Sequence, residues 1–481
     1  MGIGSMAISG VLVLSSFAVV AHSDAAASPA ARVWLTTYSG KTLLKEQPPL
    51  RWSTGKPRKN HFTISVNDAK RNQQIDGFGA SLTDSSAWVI ANKVTAAQRD
   101  SLMRELFDPS TGLGISVLRQ PMGASDFSTI GNYSYDDMAA GQTDPNLNHF
   151  TIDHDRAAII PMLHQALQLN PSLKLIGTPW SPPGWMKTSD SMIGGSLKSD
   201  AYTALAQYFV RYVQAYAAEG LPIYAVTPQN EPQYSPTGYP GMLMSADEQM
   251  SFVKNYLGPP FSAAGLSTKI LVYDHNWGDQ NGGPAVYPRT ILSDSTASKF
   301  VAGTAFHCYN GDPSIMAGVH KTFPAKDIYQ TECSGGAWQG DFGSSLRSQL
   351  FGYILSGMRN WSKSAVLWNL ALDQDYGPTN GGCANCRGIV TIDQSSGAVT
   401  RTPDYYALGH FSRFVRPGAY RVDSKSFGRA SVDDVAFQNP DGSNVLVVYN
   451  DDRSAHTITV ISKGASFRSK LPSGAAATFT W

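Results

Sequence analysis

Between residues 75 and 371 the chain alternates short apolar runs with longer amphipathic ones. The apolar runs are Ile75–Thr83, Gly114–Met122, Lys174–Trp180, Ile223–Asn230, Lys269–Trp277, Gly303–Tyr309, Asp327–Cys333 and Ser364–Ala371. They are rich in Val and Ile, as strands buried on both faces are. Between them, Asp200–Glu219 places Leu205, Tyr208, Phe209, Tyr212 and Tyr216 on one helical face. Ala97–Phe107, Asp155–Leu169, Ala246–Leu257 and Ser344–Trp361 read the same way. Eight strands, each followed by a helix or loop over about 300 residues, predict an α/β fold: a (β/α)8 TIM barrel over residues 71–404. An open doubly wound sheet is the alternative, but neither GxGxxG nor GxxxxGK[ST] occurs.

The two ends read differently. Residues 433–481 alternate and turn: Asn439-Pro440-Asp441-Gly442 precedes Val445–Tyr449, and Thr457-Ile458-Thr459-Val460 follows. These features predict an appended β-sandwich over 405–481, completed by the strand-like segment 32–70. The run Met6–Ala21 is apolar and uncharged and is followed by small residues. It reads as a signal peptide over residues 1–23, although no Lys or Arg precedes it. A secreted protein, extracellular or periplasmic, is the expectation. No later segment is long and apolar enough for stable membrane insertion.

Charge and cysteines narrow the partners. Of 481 residues only 16% are charged, and the formal net charge is +1, so nothing marks the chain as a nucleic-acid binder. Hydrophobic residues reach 42%, which excludes a disordered chain. Aromatic residues make up 11%, a stock of flat apolar surface beyond what helix faces alone use. There are four cysteines, and Cys383 and Cys386, in a Gly-rich loop, read as a local disulfide. Cys308 and Cys333 end two predicted strands, as a pair or as buried thiols. No second CxxC and no HxxxH accompanies them, so neither a metal nor any other cofactor is expected.

In a barrel of this kind the chemistry sits at the C-terminal ends of the strands. The fourth predicted strand runs into Thr227-Pro228-Gln229-Asn230-Glu231-Pro232, and the seventh ends Gln330-Thr331-Glu332-Cys333. The third ends Thr178-Pro179-Trp180-Ser181 and the eighth Leu367-Trp368-Asn369-Leu370. Two glutamates facing one mouth among tryptophans suit glycoside hydrolysis, in which one carboxyl gives a proton and the other stays ionised. Taken singly, each Glu reads as a cap or a surface ion pair. Asp126 can accept from two adjacent hydroxyls, or pair with Arg119. Arg119 can hold Glu332 ionised and oriented. His307 and Tyr309, two apart on a strand, point the same way; Tyr309 can donate to Glu332 and His307 can orient a neighbour or serve as a plain structural histidine. Trp180 and Trp368 can stack on a pyranose or fill core.

These stretches also resemble a known family. Asp76-Gly77-Phe78-Gly79-Ala80, Leu118-Arg119-Gln120-Pro121-Met122, Ser125-Asp126-Phe127-Ser128 and Pro179–Thr188 come first in the chain. Gln229-Asn230-Glu231-Pro232, His307-Cys308-Tyr309, Thr331-Glu332, Trp368–Leu372 and Leu408–Ser412 follow in order. Together they resemble glycoside hydrolase family 30, the family of lysosomal glucosylceramidase and microbial β-1,6-glucanases. The resemblance implies a retaining double displacement with Glu231 as acid/base and Glu332 as nucleophile. It implies Asn230 on the sugar 2-OH, with Arg119, Asp126, Trp180 and Trp368 around the terminal sugar. A carbohydrate or glycolipid substrate and a monomer are expected.

Several alternatives stay open: a β-1,6-galactanase or xylanase of the same family, or a non-catalytic carbohydrate-binding barrel, which losing one glutamate would signal. A Ser-His-Asp esterase is disfavoured because no GxSxG elbow occurs. The loops Gln233–Met244, Ser334–Phe342 and Gly381–Gly388 lie outside the shared motifs and are expected to set the leaving group.

Overall fold

All eight expected apolar runs form strands in the computed structural model. They are Gly77–Ser81 (β1), Val117–Pro121 (β2), Lys174–Thr178 (β3), Ile223–Val226 (β4), Lys269–Asn276 (β5), Val301–His307 (β6), Asp327–Glu332 (β7) and Ser362–Asn369 (β8). The strands are parallel and close into a barrel, with β8 beside β1. The structure describes residues 1, 2, 4, 30–55, 61–279, 283, 285–425, 427 and 431–481. The apolar run at 6–21 lies outside the described residues. Among those described, no helix is long and apolar enough to cross a membrane.

Strand alternation sorts the side chains. Val117, Ile176, Ala225, Leu271, Ala305, Tyr329 and Val366 meet inside the barrel. Their neighbours Leu118, Leu175, Val226, Ile270, Phe306, Ile328 and Leu367 belong to the larger core under the helices. Two residues further along, the inward row is no longer apolar: it carries Arg119, His307, Thr331 and Trp368. The apolar plug thus becomes a polar mouth within one repeat of the pleat. At the other end of the barrel, Asp76 accepts from Lys174 Nζ (2.6 Å), Tyr224 (2.7 Å) and Tyr329 (2.8 Å). Outside, the helix Tyr202–Ala218 lays Tyr212 against Gly177 of β3, where a Cβ would stand 2.6 Å from the ring.

The sandwich sheet takes strands from both ends of the chain. Ala30–Thr36, Lys45–Arg51 and Thr63–Gln74 join Tyr420–Asp423, Val432–Gln438, Asn444–Asn450, His456–Ser462, Ala465–Leu471 and Ala476–Thr480 in one sheet of nine. A bridge between Ser53 and Ser466 brings the two edge strands together around Ile64, Val448, Ile458 and Phe479. Residues assigned by pattern to the start of the sandwich instead form the helix Pro403–Ser412. Its buried His410 bridges Thr478 and Thr36 at 2.8 Å each, fastening barrel to sandwich. A small sheet that the pattern did not show, Ala371–Asp373, Val390–Ile392 and Val399–Arg401, follows β8.

Candidate active site

Glu332 is the last residue of β7 and Arg119 lies in β2, on the inward row. Arg119 Nη1 donates to Glu332 Oε2, and Tyr309 donates to Oε1 at 2.8 Å. Arg119 is fully buried and uses its other amino group twice: on Asn230 Oδ1 (2.6 Å) and Asp274 Oδ2 (2.9 Å). With its oxygen held, Asn230 keeps its NH2 to donate. Arg119 does not pair with Asp126.

Glu231 follows β4 in a left-handed turn at φ +45°, uncommon for a residue other than glycine and typical of functional sites. Its Oε1 lies 3.1 Å from His307 Nδ1 and 3.9 Å from His275 Nε2. His307 Nδ1 is also 3.8 Å from Glu332 Oε1. One atom from each of Glu231, His307 and Glu332 falls within 4.8 Å of the other two. The two carboxyl oxygens lie closer than the roughly 6.5–9.5 Å that separates two carboxyls with a water between them.

Asp274 ties these groups together and was missed in the sequence. Its Oδ2 accepts from Arg119 and from Thr227 (2.7 Å), and its Oδ1 from Thr331 (2.6 Å) and His307 Nε2 (3.1 Å). Simple alternation from Leu271 would turn Asp274 outward. A bulge at Tyr273 (φ +79°) and Asp274 (φ +64°) breaks the phase and turns it in.

Charge and burial set the protons. Burial works to raise the Asp274 carboxyl, but the Arg119 charge and the His307 hydrogen bond outweigh it and hold the group far below the usual carboxylate range. Burial likewise works to lower His307, yet Glu332, Asp274 and Glu231 together push it up to about 9. Burial also opposes ionisation of Glu231, but the hydrogen bond and charge of His307, with the Arg119 charge behind them, keep it below its ordinary value. The Glu231–His307 pair thus carries one proton, resting on His307. His275 is lowered to about 4 by burial and is neutral.

The sugar-facing expectations gather here too. Trp180 and Trp368 stack on each other at 4.9 Å and 22°, with the Arg119 guanidinium 4.6 Å from the Trp180 ring centre. Both are about 3% exposed, so they form one shared wall and not two open platforms. Asp126 is buried, and its Oδ1 has no partner among the described residues. Burial, then the charges of Glu332 and Glu231, push it up to about 8.

Both disulfides serve this mouth. Cys308–Cys333 joins the residues that follow His307 and Glu332, stapling β6 to β7. Cys383–Cys386 closes the loop that seats Asp126: Asn380 N–H donates to the Asp126 carbonyl at 2.7 Å, and Gly382 packs too close for any side chain. Tyr239, from the loop after β4, packs against the same aromatic cluster. Trp185 instead donates to Asp136 (3.0 Å), while Trp338, 52% exposed, stands beyond β7.

Residues 75–415 match the family model of the glycosyl hydrolase family 30 TIM-barrel domain, and residues 418–479 that of the family 30 beta sandwich domain. The chain belongs to glycoside hydrolase family 30. It is a glycosidase, and its relatives span nearly its whole length. An endo-1,6-beta-D-glucanase of Trichoderma harzianum is 33% identical over 95% of this chain and 94% of its own. The lysosomal acid glucosylceramidase of Mus musculus is 30% identical over 87% and 83%. A solved endo-beta1,6-glucanase superposes with a TM-score of 0.87 at 34% identity, covering 94% of this chain and 99% of that one. Within this family 30 hydrolase, the described residues hold both glutamates, the arginine and the histidine in one hydrogen-bonded constellation.

Proposed function

We propose that this enzyme cleaves β-glucosidic bonds with retention of configuration, that β-1,6-glucan is its substrate, and that it acts outside the cell. The close approach of Glu231 and Glu332, within 4.8 Å of each other and of His307, carries the mechanistic reading. The substrate reading rests on glucanase relatives at about one-third identity over almost the full chain. Export rests on the apolar N-terminal run of the sequence.

In the first step Glu332 attacks the anomeric carbon. The bond to the glycosidic oxygen breaks, and that oxygen takes the proton held by the Glu231–His307 pair. Arg119 and Tyr309 hold Glu332 aimed, while Asn230 donates to the 2-OH, a bond that strengthens as positive charge grows on the ring. In the second step a water loses its proton to Glu231 and displaces Glu332, restoring the β anomer. Asp126, with an unused buried oxygen, accepts from the hydroxyls of the same sugar.

The test compares β-1,6-glucan, β-1,6-galactan, xylan and glucosylceramide as substrates and records the first-formed anomer by NMR. Turnover of β-1,6-glucan to a β product is expected. Preference for glucosylceramide would overturn the substrate, and an α product the mechanism.

A further inference from the structure

The sandwich has a cavity of its own. It holds about 510 Å3, within the range of small-molecule sites, and none of its lining residues belongs to the catalytic centre. Trp52 and Trp481 form two of its walls, their rings 5.7 Å apart at 66°, so they meet as a corner. Phe467 backs both, 4.8 Å from Trp52 and 6.2 Å from Trp481. The rest of the lining is neutral: Thr54, Ser462 and Asn444 can hydrogen-bond, and Ala30 and Ala465 are apolar. The single charge, Lys463, is already paired with Asp68 at 2.9 Å.

Two wall residues carry polar atoms that have no partner among the described residues. They are Asn444 Oδ1, an acceptor on a side chain only 3% exposed, and Trp481 Nε1–H, a donor. Buried polar atoms in native proteins are nearly always paired, and an exception calls for a bound molecule or a functional reason. Aromatic corners with neutral donors and acceptors and no free charge suit a molecule with apolar C–H faces edged by hydroxyls. A lipid would leave the amide and hydroxyls unpaired, and an ionic ligand finds no free countercharge. The site joins both ends of the chain, since Trp52 follows the strand Lys45–Arg51 and Trp481 follows Ala476–Thr480.

We propose that this cavity is a second carbohydrate-binding site, one that holds a β-glucan chain on the sandwich while another stretch is cleaved in the barrel. The ligand class rests on the substrate reading above. The experiment uses the full chain with Glu332→Gln, so that bound glucan survives, and measures its depletion from solution by insoluble β-1,6-glucan. Trp52→Ala removes one wall, and Trp481→Phe keeps an aromatic ring against Phe467 but deletes the donor. Each is expected to weaken glucan binding at least about fivefold. In the active background both should leave aryl β-glucoside turnover within about twofold, since that substrate engages only the barrel. Unchanged glucan binding in Trp481→Phe, with the glucan still hydrolysed by the native enzyme, overturns the second site and leaves the substrate reading standing. If the native enzyme neither cleaves nor binds the glucan, both readings fall.

Discussion

Asp274→Asn is the most informative single change, because the buried side chain holds Arg119 and His307, which in turn hold Glu332 and Glu231. Each carboxylate oxygen accepts two donors: Arg119 and Thr227 on one, Thr331 and His307 on the other. The amide has the same shape but only one oxygen. Whichever way it turns, two of those donors face an NH2 and lose their acceptor. An orphaned buried donor costs about 1–3 kcal/mol, and breaking a buried ion pair about 3–5 kcal/mol. A stability loss of about 3–5 kcal/mol is therefore expected, read as a lower urea midpoint. The loss of activity follows from Arg119 and His307 drifting from Glu332 and Glu231; misplacement on this scale costs about 100-fold in kcat/KM. The pH profile supplies the specific signature. His307 is pushed up to about 9 against burial by Glu332, Asp274 and Glu231, so losing the Asp274 charge must lower it. The shared proton is present below that pKa and lost as pH rises through it. The alkaline limb of kcat/KM on an aryl β-glucoside should move to lower pH in the variant. By the same linkage, the stability that protonated His307 contributes is complete below its unfolded value and lost as pH rises through about 9. An alkaline limb that stays in place while activity falls would refute the coupling, leaving Asp274 a merely structural group.

Glu231→Gln should keep forming the glycosyl intermediate from substrates with good leaving groups, and added azide should restore turnover; equal loss on all leaving groups without rescue would reassign the acid/base. Tyr309→Phe removes one charge-assisted hydrogen bond to Glu332 at a residue that is 45% exposed, so kcat should fall about tenfold with KM little changed, measured by steady-state kinetics. Asp76→Asn loosens the Lys174–Tyr224–Tyr329 cluster at the far end of the barrel; thermal stability should drop while kcat/KM at 25 °C stays within about twofold.

What the sequence showed and what it hid have physical causes. The barrel strands were legible because parallel strands buried on both faces are continuous apolar runs, and His307 and Arg119 lie on the inward row that alternation extends past the apolar plug, whereas Glu332 follows Thr331 of that row at a register shift between β6 and β7. Asp274 was hidden because a bulge reverses that alternation, and nothing in Tyr273-Asp274-His275 announces left-handed backbone. The three-residue strands after β8 are too short to show a period, so their segment read as loop around its CxxC. The helix Pro403–Ser412 was absorbed into the sandwich, although Thr402-Pro403 is a good helix start. The tryptophans at the ends of β3 and β8 meet at one mouth, but their stacking on each other and on Arg119 depends on strand spacing that composition does not carry. The pairing of Cys308 with Cys333 likewise follows from β6 and β7 being neighbours in the closed barrel.

The central claim is that Glu332 becomes covalently bonded to the sugar. A 2-deoxy-2-fluoro-β-glucoside with a good leaving group slows the second step and should trap that bond. Peptide mass spectrometry of the inactivated enzyme should then place one fluoroglucosyl group on Glu332. A label on another residue, or rapid hydrolysis to the α anomer with no label, would contradict it.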